Sequence, residues 1–150
     1  MGRPLRVCQF TPTLWSGGSE ERIARVMAGL PRHRFRFEWM GFGPVREDLI
    51  AKAGPLIRAH PVDRHPTQGI EPELILRIAR TLRRLKPDVL HVHNWSTSIY
   101  GIAGARLAGV PAVIYEFGGL SSDEAPSPKR QRLMRTLAPQ VDHFTAVCRF

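Results

Sequence analysis

The chain has 150 residues, 43% of them hydrophobic, with two cysteines and a formal net charge of +9. That length and composition suit one globular domain with a real core, and they exclude wholesale disorder. Cys8 and Cys148 sit in apolar runs at opposite ends of the sequence, which does not read as a disulfide framework and fits a reducing compartment. The start passes from Arg3 almost directly into Val7-Cys8-Gln9-Phe10. It offers neither a secretory h-region nor a run long enough to cross a bilayer, so a cytoplasmic protein is the expectation. The basic excess is almost all arginine, which suits nucleic acid, an anionic membrane surface or anionic small substrates; a GC-rich genome gives the same excess with no function attached.

In chain order, Arg6–Thr11 reads as a strand, and Ser16-Gly17-Gly18 as the loop after it. Ser19 is the expected cap of a helix reaching about Leu30, with Ile23, Val26, Met27 and Leu30 at helical spacing and Pro31 as the stop. Phe35–Met40 is a second strand, ended by Gly41-Phe42-Gly43-Pro44. Val45–Ala53 reads as a helix, Leu56–His60 as a short third strand, and His60–Gly69 as a loop. Glu71–Leu85 carries the clearest helical stripe: Leu74, Ile75, Ile78, Leu82 and Leu85. Its acids lie in the first turn and its bases, Arg83, Arg84 and Lys86, at the end, as the helix dipole favours. Val89–His93 is a strand, Thr97–Leu107 a helix capped by Ser96 or Thr97, and Ala112–Phe117 a strand. Gly118–Pro128 is a polar loop, Lys129–Leu137 a helix and Phe144–Val147 a last strand. About six alternations of strand and helix predict a Rossmann-like, doubly wound α/β domain, its mainly parallel sheet covered on both faces. The central strands are expected to be Arg6–Thr11 and Val89–His93. A helix should cover the last strand in such a domain, and none follows Phe150, so the expectation is a truncated piece.

Ligands in open parallel sheets bind beyond the carboxyl ends of the strands. The loops there are Pro12–Ser19, Gly41–Pro44, Asn94–Ser96 and Gly118–Pro128. They supply the candidate substrate-binding residues Gly17, Gly18, Ser19, Asn94, Glu116, Gly118 and Gly119. Glycines admit close backbone approach, and the free N–H groups of a helix start attract an anion; a plain tight turn reads the same way. Of His91 and His93, which share one face of a strand, His93 is expected at the rim and His91 deeper, as a hydrogen-bonded core histidine. With no acidic or cysteine ligand evident beside them, no metal is expected. Trp15 and Trp95 lie in neighbouring rim loops, where an aromatic ring stacks on a sugar or closes the top of a core.

Four stretches together resemble the N-terminal domain of family 4 glycosyltransferases with the GT-B fold. They are Gly17-Gly18-Ser19-Glu20-Glu21-Arg22; Leu85 to Asn94, reading LKPDVLHVHN; Gly101 to Ile114, reading GIAGARLAGVPAVI; and Val141 to Arg149, reading VDHFTAVCR. The resemblance implies two Rossmann-like domains across a cleft, with the acceptor on this half, most of the nucleotide sugar on an absent C-terminal half, and retention of anomeric configuration. It implies that His93 lines the reaction centre as the catalytic residue and that Gly17 and Gly18 approach the donor diphosphate. It implies a nucleotide-sugar donor, a glycan, lipid-linked or small-molecule acceptor, and no cofactor. Gly118-Gly119 stands where many members have His-Gly, and Cys148 where they have serine. Glu116 and Glu124 copy the spacing of the family's E-x7-E motif, but that motif belongs to the C-terminal domain, so the match is read as coincidence.

Two other readings stay open. One is a binding module that keeps the fold without the chemistry. The other is an arginine-driven binder of anionic surfaces, nucleic acid being disfavoured by the lack of RNA-module motifs or a helix-turn-helix. Arg77, Arg80 and Arg84 share a helix face that could meet the inner membrane leaflet; a solvated outer helix reads the same.

Overall fold

The structure, a computed structural model, describes residues 2–15, 17–64, 70–118 and 127–147. Six strands form one sheet: β1 (Leu5–Thr11), β2 (Phe35–Phe42), β3 (Arg58–Val62), β4 (Val89–His93), β5 (Ala112–Phe117) and β6 (His143–Ala146). Five helices connect them: α1 (Gly18–Gly29), α2 (Glu47–Ala53), α3 (Pro72–Leu85), α4 (Trp95–Ala108) and α5 (Pro128–Leu137). The order is β3-β2-β1-β4-β5-β6 and all five pairings are parallel. The domain is therefore Rossmann-like and doubly wound, with β1 and β4 side by side at its centre. That is where the winding reverses and where a crevice opens at the carboxyl ends.

The alternation of each strand divides the core in two. On one side, Ile23, Ala24 and Met27 of α1 and Leu49 of α2 pack on Val7, Phe37 and Trp39. On the other, Leu74, Ile78 and Leu82 of α3, Tyr100 and Ile102 of α4 and Leu137 of α5 pack on Cys8, Phe10, Leu90, Val92 and Val113. Each fully buried aliphatic contributes about 1.5–3 kcal/mol. The α3 stripe drives that helix onto the sheet. Pro72 fits its first turn, where no N–H partner is needed, and Lys86 closes it at φ 50° with its N–H on the Leu82 carbonyl. Two glycines bring α4 close. A methyl group on Gly101 would lie 2.8 Å from the Phe10 ring, and one on Gly104 2.7 Å from Ile78 Cγ2.

Several boundaries depart from the sequence reading. The N-cap of α1 is Gly17, in extended conformation, so Ser19 lies inside the first turn and does not cap it. The N-cap of α4 is Asn94 rather than Ser96 or Thr97; the Thr97 hydroxyl turns back onto the carbonyls of His93 and Asn94. β2 runs on through Gly41 and Phe42, because Gly41 lets Leu14 close over it. β3 is shifted to Arg58–Val62, paired with β2 from Glu38↔Arg58 to Phe42↔Val62; Pro61 is tolerated on this edge strand. At the other edge, β6 is exposed along its length and is pinned by Asp142, whose Oδ2 accepts from Val113 N at 2.7 Å and from Arg106 at 2.8 Å. Among the described residues no helix is long and apolar enough to cross a membrane.

Candidate functional site

Gln9 and Thr11 of β1, His91 and His93 of β4 and Glu116 of β5 point to the α1 side of the sheet, near its carboxyl end. The register aligns Gln9 with His91 and His93 with Glu116. The His93 ring is 1% exposed. Its Nε2 lies 2.6 Å from Gln9 Oε1 and its Nδ1 3.0 Å from Glu116 Oε1. Both partners present oxygen acceptors. The ring satisfies both as an imidazolium; with the Gln9 amide turned over, a neutral ring donates to Glu116 and accepts from Gln9. Glu116 is also ion-paired to Arg22 of α1. Burial pushes the Glu116 carboxyl up, but hydrogen bonds and charge from His93 and Arg22 outweigh it and hold it at about 2.

The two histidines exchange the positions expected of them. His93, the last residue of β4, is the buried one, its ring held between Gln9 and Glu116. The His91 side chain keeps 19% of its exposure, and its Nε2 has no hydrogen-bond partner among the described residues. That atom is 4.0 Å from Glu116 Oε2, and the two rings are tilted at a centroid distance of 4.1 Å. Burial, with the adjacent His93, lowers the His91 imidazole to about 3, so it is neutral above that pH. The expectation that no acid stands beside the histidines fails, since His91, His93 and Glu116 bring ligand atoms within 4.8 Å of one another. A metal ion held by all three would have to break His93 hydrogen bonds and compete with Arg22, which already supplies positive charge to Glu116. The arrangement is a hydrogen-bonded array running from β1 through β4 and β5 to α1.

Above it lies Asn94, at φ 66° with its Oδ1 buried and without a hydrogen-bond partner among the described residues. With ψ at 168° this backbone lies in a region left almost entirely to glycine, so the position is strained, and the Asn94 N–H is tied to the Glu116 carbonyl at 3.1 Å. Gly118 makes room for it: a methyl group there would lie 1.9 Å from Asn94 Oδ1. The glycine loop stands across the crevice. Gly18 has open space around it, but the Glu20 carboxylate folds back on Gly17, where a methyl group would lie 2.3 Å from Glu20 Oε2. Glu20 is itself buried and accepts from Thr13 Oγ1 at 3.3 Å. The helix start thus already faces an acid of its own chain. Next to the loop, a cavity of about 660 Å³ opens between Trp15, Phe42, Gly43 and Asp63. Trp15 is 52% exposed there, while the Trp95 ring lies under the Arg130 guanidinium, 5.6 Å from its centroid.

His93, Asn94, Glu116 and Gly118 come together at the strand ends, and Gly17, Gly18 and Ser19 open the helix whose Arg22 reaches Glu116. Gly119 and Glu124 fall outside the described residues. Sequence reasoning assigned no role to Gln9, Glu20 or Arg22. The signal for Gln9 was a polar residue inside an apolar strand run, on the face of Thr11. Glu20 and Arg22 gave none, since acids and bases on a first helical turn are ordinary.

The sequence profile of Glycosyltransferase Family 4 matches residues 16–150. The chain belongs to glycosyltransferase family 4. It is 27% identical over 74 residues to the Escherichia coli UDP-Gal:α-D-GlcNAc-diphosphoundecaprenol α-1,3-galactosyltransferase, a match covering 49% of this chain and 18% of that enzyme. Among solved structures it resembles Anabaena HepE in complex with UDP and glucose, with TM-score 0.66, 16% identity, and coverage of 91% of this chain and 36% of that one. It also resembles the lipopolysaccharide outer core galactosyltransferase WaaB, with TM-score 0.61, 8% identity, and 93% and 38% coverage. A Neisseria meningitidis UDP-GlcNAc 2-epimerase bound to UDP-GlcNAc has the same fold, with TM-score 0.60, 20% identity, and 89% and 39% coverage. These likenesses establish the GT-B-type Rossmann half. The chain spans well under half the length of each relative named.

Proposed function

We propose that residues 1–150 form the acceptor-side half of a retaining glycosyltransferase that moves a sugar from a nucleotide sugar to a glycan or lipid-linked acceptor. The observation that carries this reading is Asn94, whose buried Oδ1 has no partner among the described residues at the β1–β4 crevice. An unpaired buried acceptor costs about 1–3 kcal/mol, and a hydroxyl of a bound sugar would satisfy it. His93 is the reaction-centre residue in this reading. It reaches the transferred sugar when its Nε2 exchanges Gln9 for a sugar oxygen, while Glu116, held ionised, steadies positive charge on the ring. The open side of Gly18 then lets the departing diphosphate approach the helix start, where its developing negative charge takes the place of the Glu20 carboxylate.

The likeness to the E. coli galactosyltransferase supports a diphosphate-lipid acceptor, for which the cavity beside Trp15 has room for one sugar ring. Such a substrate would bring the protein to the cytoplasmic membrane surface. The burial of His93 favours a second reading, a sugar-binding module without turnover. Nuclear magnetic resonance on the chain separates acceptor from donor binding. A short-chain lipid diphosphate carrying α-D-GlcNAc should shift the Asn94 and Trp15 signals at concentrations where UDP-galactose leaves them in place. Tighter binding of UDP-galactose than of the acceptor would overturn the assignment of this half.

A further inference from the structure

A second cavity, of about 850 Å³, lies at the opposite end of the sheet, under the amino ends of β1, β2 and β3. Five arginines line it: Arg6, Arg32, Arg36, Arg58 and Arg84. Arg6 and Arg36 are direct partners in the β1–β2 register, and Arg58 is paired with Glu38, one pleat further along β2. Their side chains therefore rise from one face of neighbouring strands about 4.8 Å apart. Like charges in direct register destabilise a sheet.

Two acids relieve them only in part: Glu38 stands opposite Arg58 in the β2–β3 register, and the Asp88 charge reaches Arg6. Glu38, the one carboxylate lining the cavity among the described residues, is held by His60 at 2.7 Å. Asp88, which lies near Arg6, is bonded to Arg3 at 2.8 Å. Arg6, Arg36, Arg58 and Arg84 form no ion pair with any described carboxylate. By contrast, Arg22, Arg46, Arg77 and Arg106 elsewhere on the domain each have one. The planar forks of clustered arginines match phosphate oxygens two at a time.

We propose that this cavity is a binding site for an anion carrying two or more phosphate groups, separate from the crevice at His93. The phosphates sit between Arg36 and Arg58 on the sheet and Arg84 on α3, and occupancy relieves the Arg6–Arg36 repulsion. The same chemistry is offered by a soluble oligophosphate and by a phosphorylated lipid headgroup.

Calorimetric titration of the chain with sodium tripolyphosphate, and co-sedimentation with phosphatidylcholine vesicles with and without phosphatidylinositol bisphosphate, test the site and its source. The chain should bind at least one of these probes. Arg36→Gln with Arg58→Gln should weaken that binding at least tenfold, and Arg132→Gln with Arg135→Gln, on the outside of α5, less than twofold. Tripolyphosphate binding alone would assign a soluble ligand; retention on the phosphatidylinositol bisphosphate vesicles, lost in the cavity pair, would assign a headgroup. Circular dichroism checks that each variant is folded, and His93→Ala should bind as the parent does. Binding of neither probe, or equal weakening by the cavity pair and the α5 pair, would overturn the proposal.

Discussion

His91 and Glu116 make the stability of this domain depend on acid in two stages. The His91 imidazole is lowered from its ordinary 6.5 to about 3, chiefly by burial. As pH falls below 6.5 the unfolded chain takes up this proton and the folded one resists it, so stability declines until about pH 3. Glu116 is lowered from 4.5 to about 2, so its contribution is whole above 4.5 and lost as pH falls through 2. Urea unfolding across this range should therefore give a stability that falls in two steps. His91→Gln should flatten the decline between 6.5 and 4.5 and make the one from 4.5 to about 3 shallower, while the Glu116 contribution stays. An unchanged upper slope in that variant would show that His91 is as free to take a proton in the folded chain as in the unfolded one. The exchange of roles between His91 and His93 was not legible in sequence, because alternation assigns both to one face and says nothing of depth. Depth is decided by Gln9 and Glu116, which come from strands 84 and 23 residues away.

Elements were more legible than their ends. Val89–His93 and Ala112–Phe117 have the bounds their apolar runs predict, and the stripe on α3 is buried as its spacing requires. The helix starts were displaced because capping was read from side-chain type alone. Ser19 has the right hydroxyl, yet the chain enters α1 through an extended Gly17 and Glu20 folds over the helix start. The close seating of α4 rests on glycines whose role shows only in three dimensions. Gly104→Val should cost about 1–3 kcal/mol, because Ile78 and the α3 backbone leave no room for the side chain. Gly29→Ala, at the open end of α1 with nothing within 4 Å, should leave stability unchanged or raise it by about 0.5–1 kcal/mol. Equal midpoints for the two variants in denaturant would mean that α4 does not pack as described.

At the scale of the whole molecule, the net charge of +9 is unevenly used. Some arginines are consumed in ion pairs that tie helices to the sheet, as Arg22 is to Glu116. Others collect unpaired at the amino end of the strands, facing away from the crevice. The winding order makes the β1–β4 crevice the place for chemistry, and the family assignment fits that placement. The account's central claim is that this crevice is half of a transfer site. The most direct test is transfer of radiolabelled galactose from UDP-galactose to a GlcNAc-diphosphate-lipid acceptor, by the chain alone and by the chain joined to a family donor-binding domain. The chain alone should give no transfer above a protein-free blank, and the joined protein should turn over. His93→Ala in the joined protein should lower turnover roughly 100- to 1,000-fold, the scale seen when one stabilising group is removed from a reaction centre. Transfer by residues 1–150 alone, or undiminished turnover without the His93 imidazole, would contradict it.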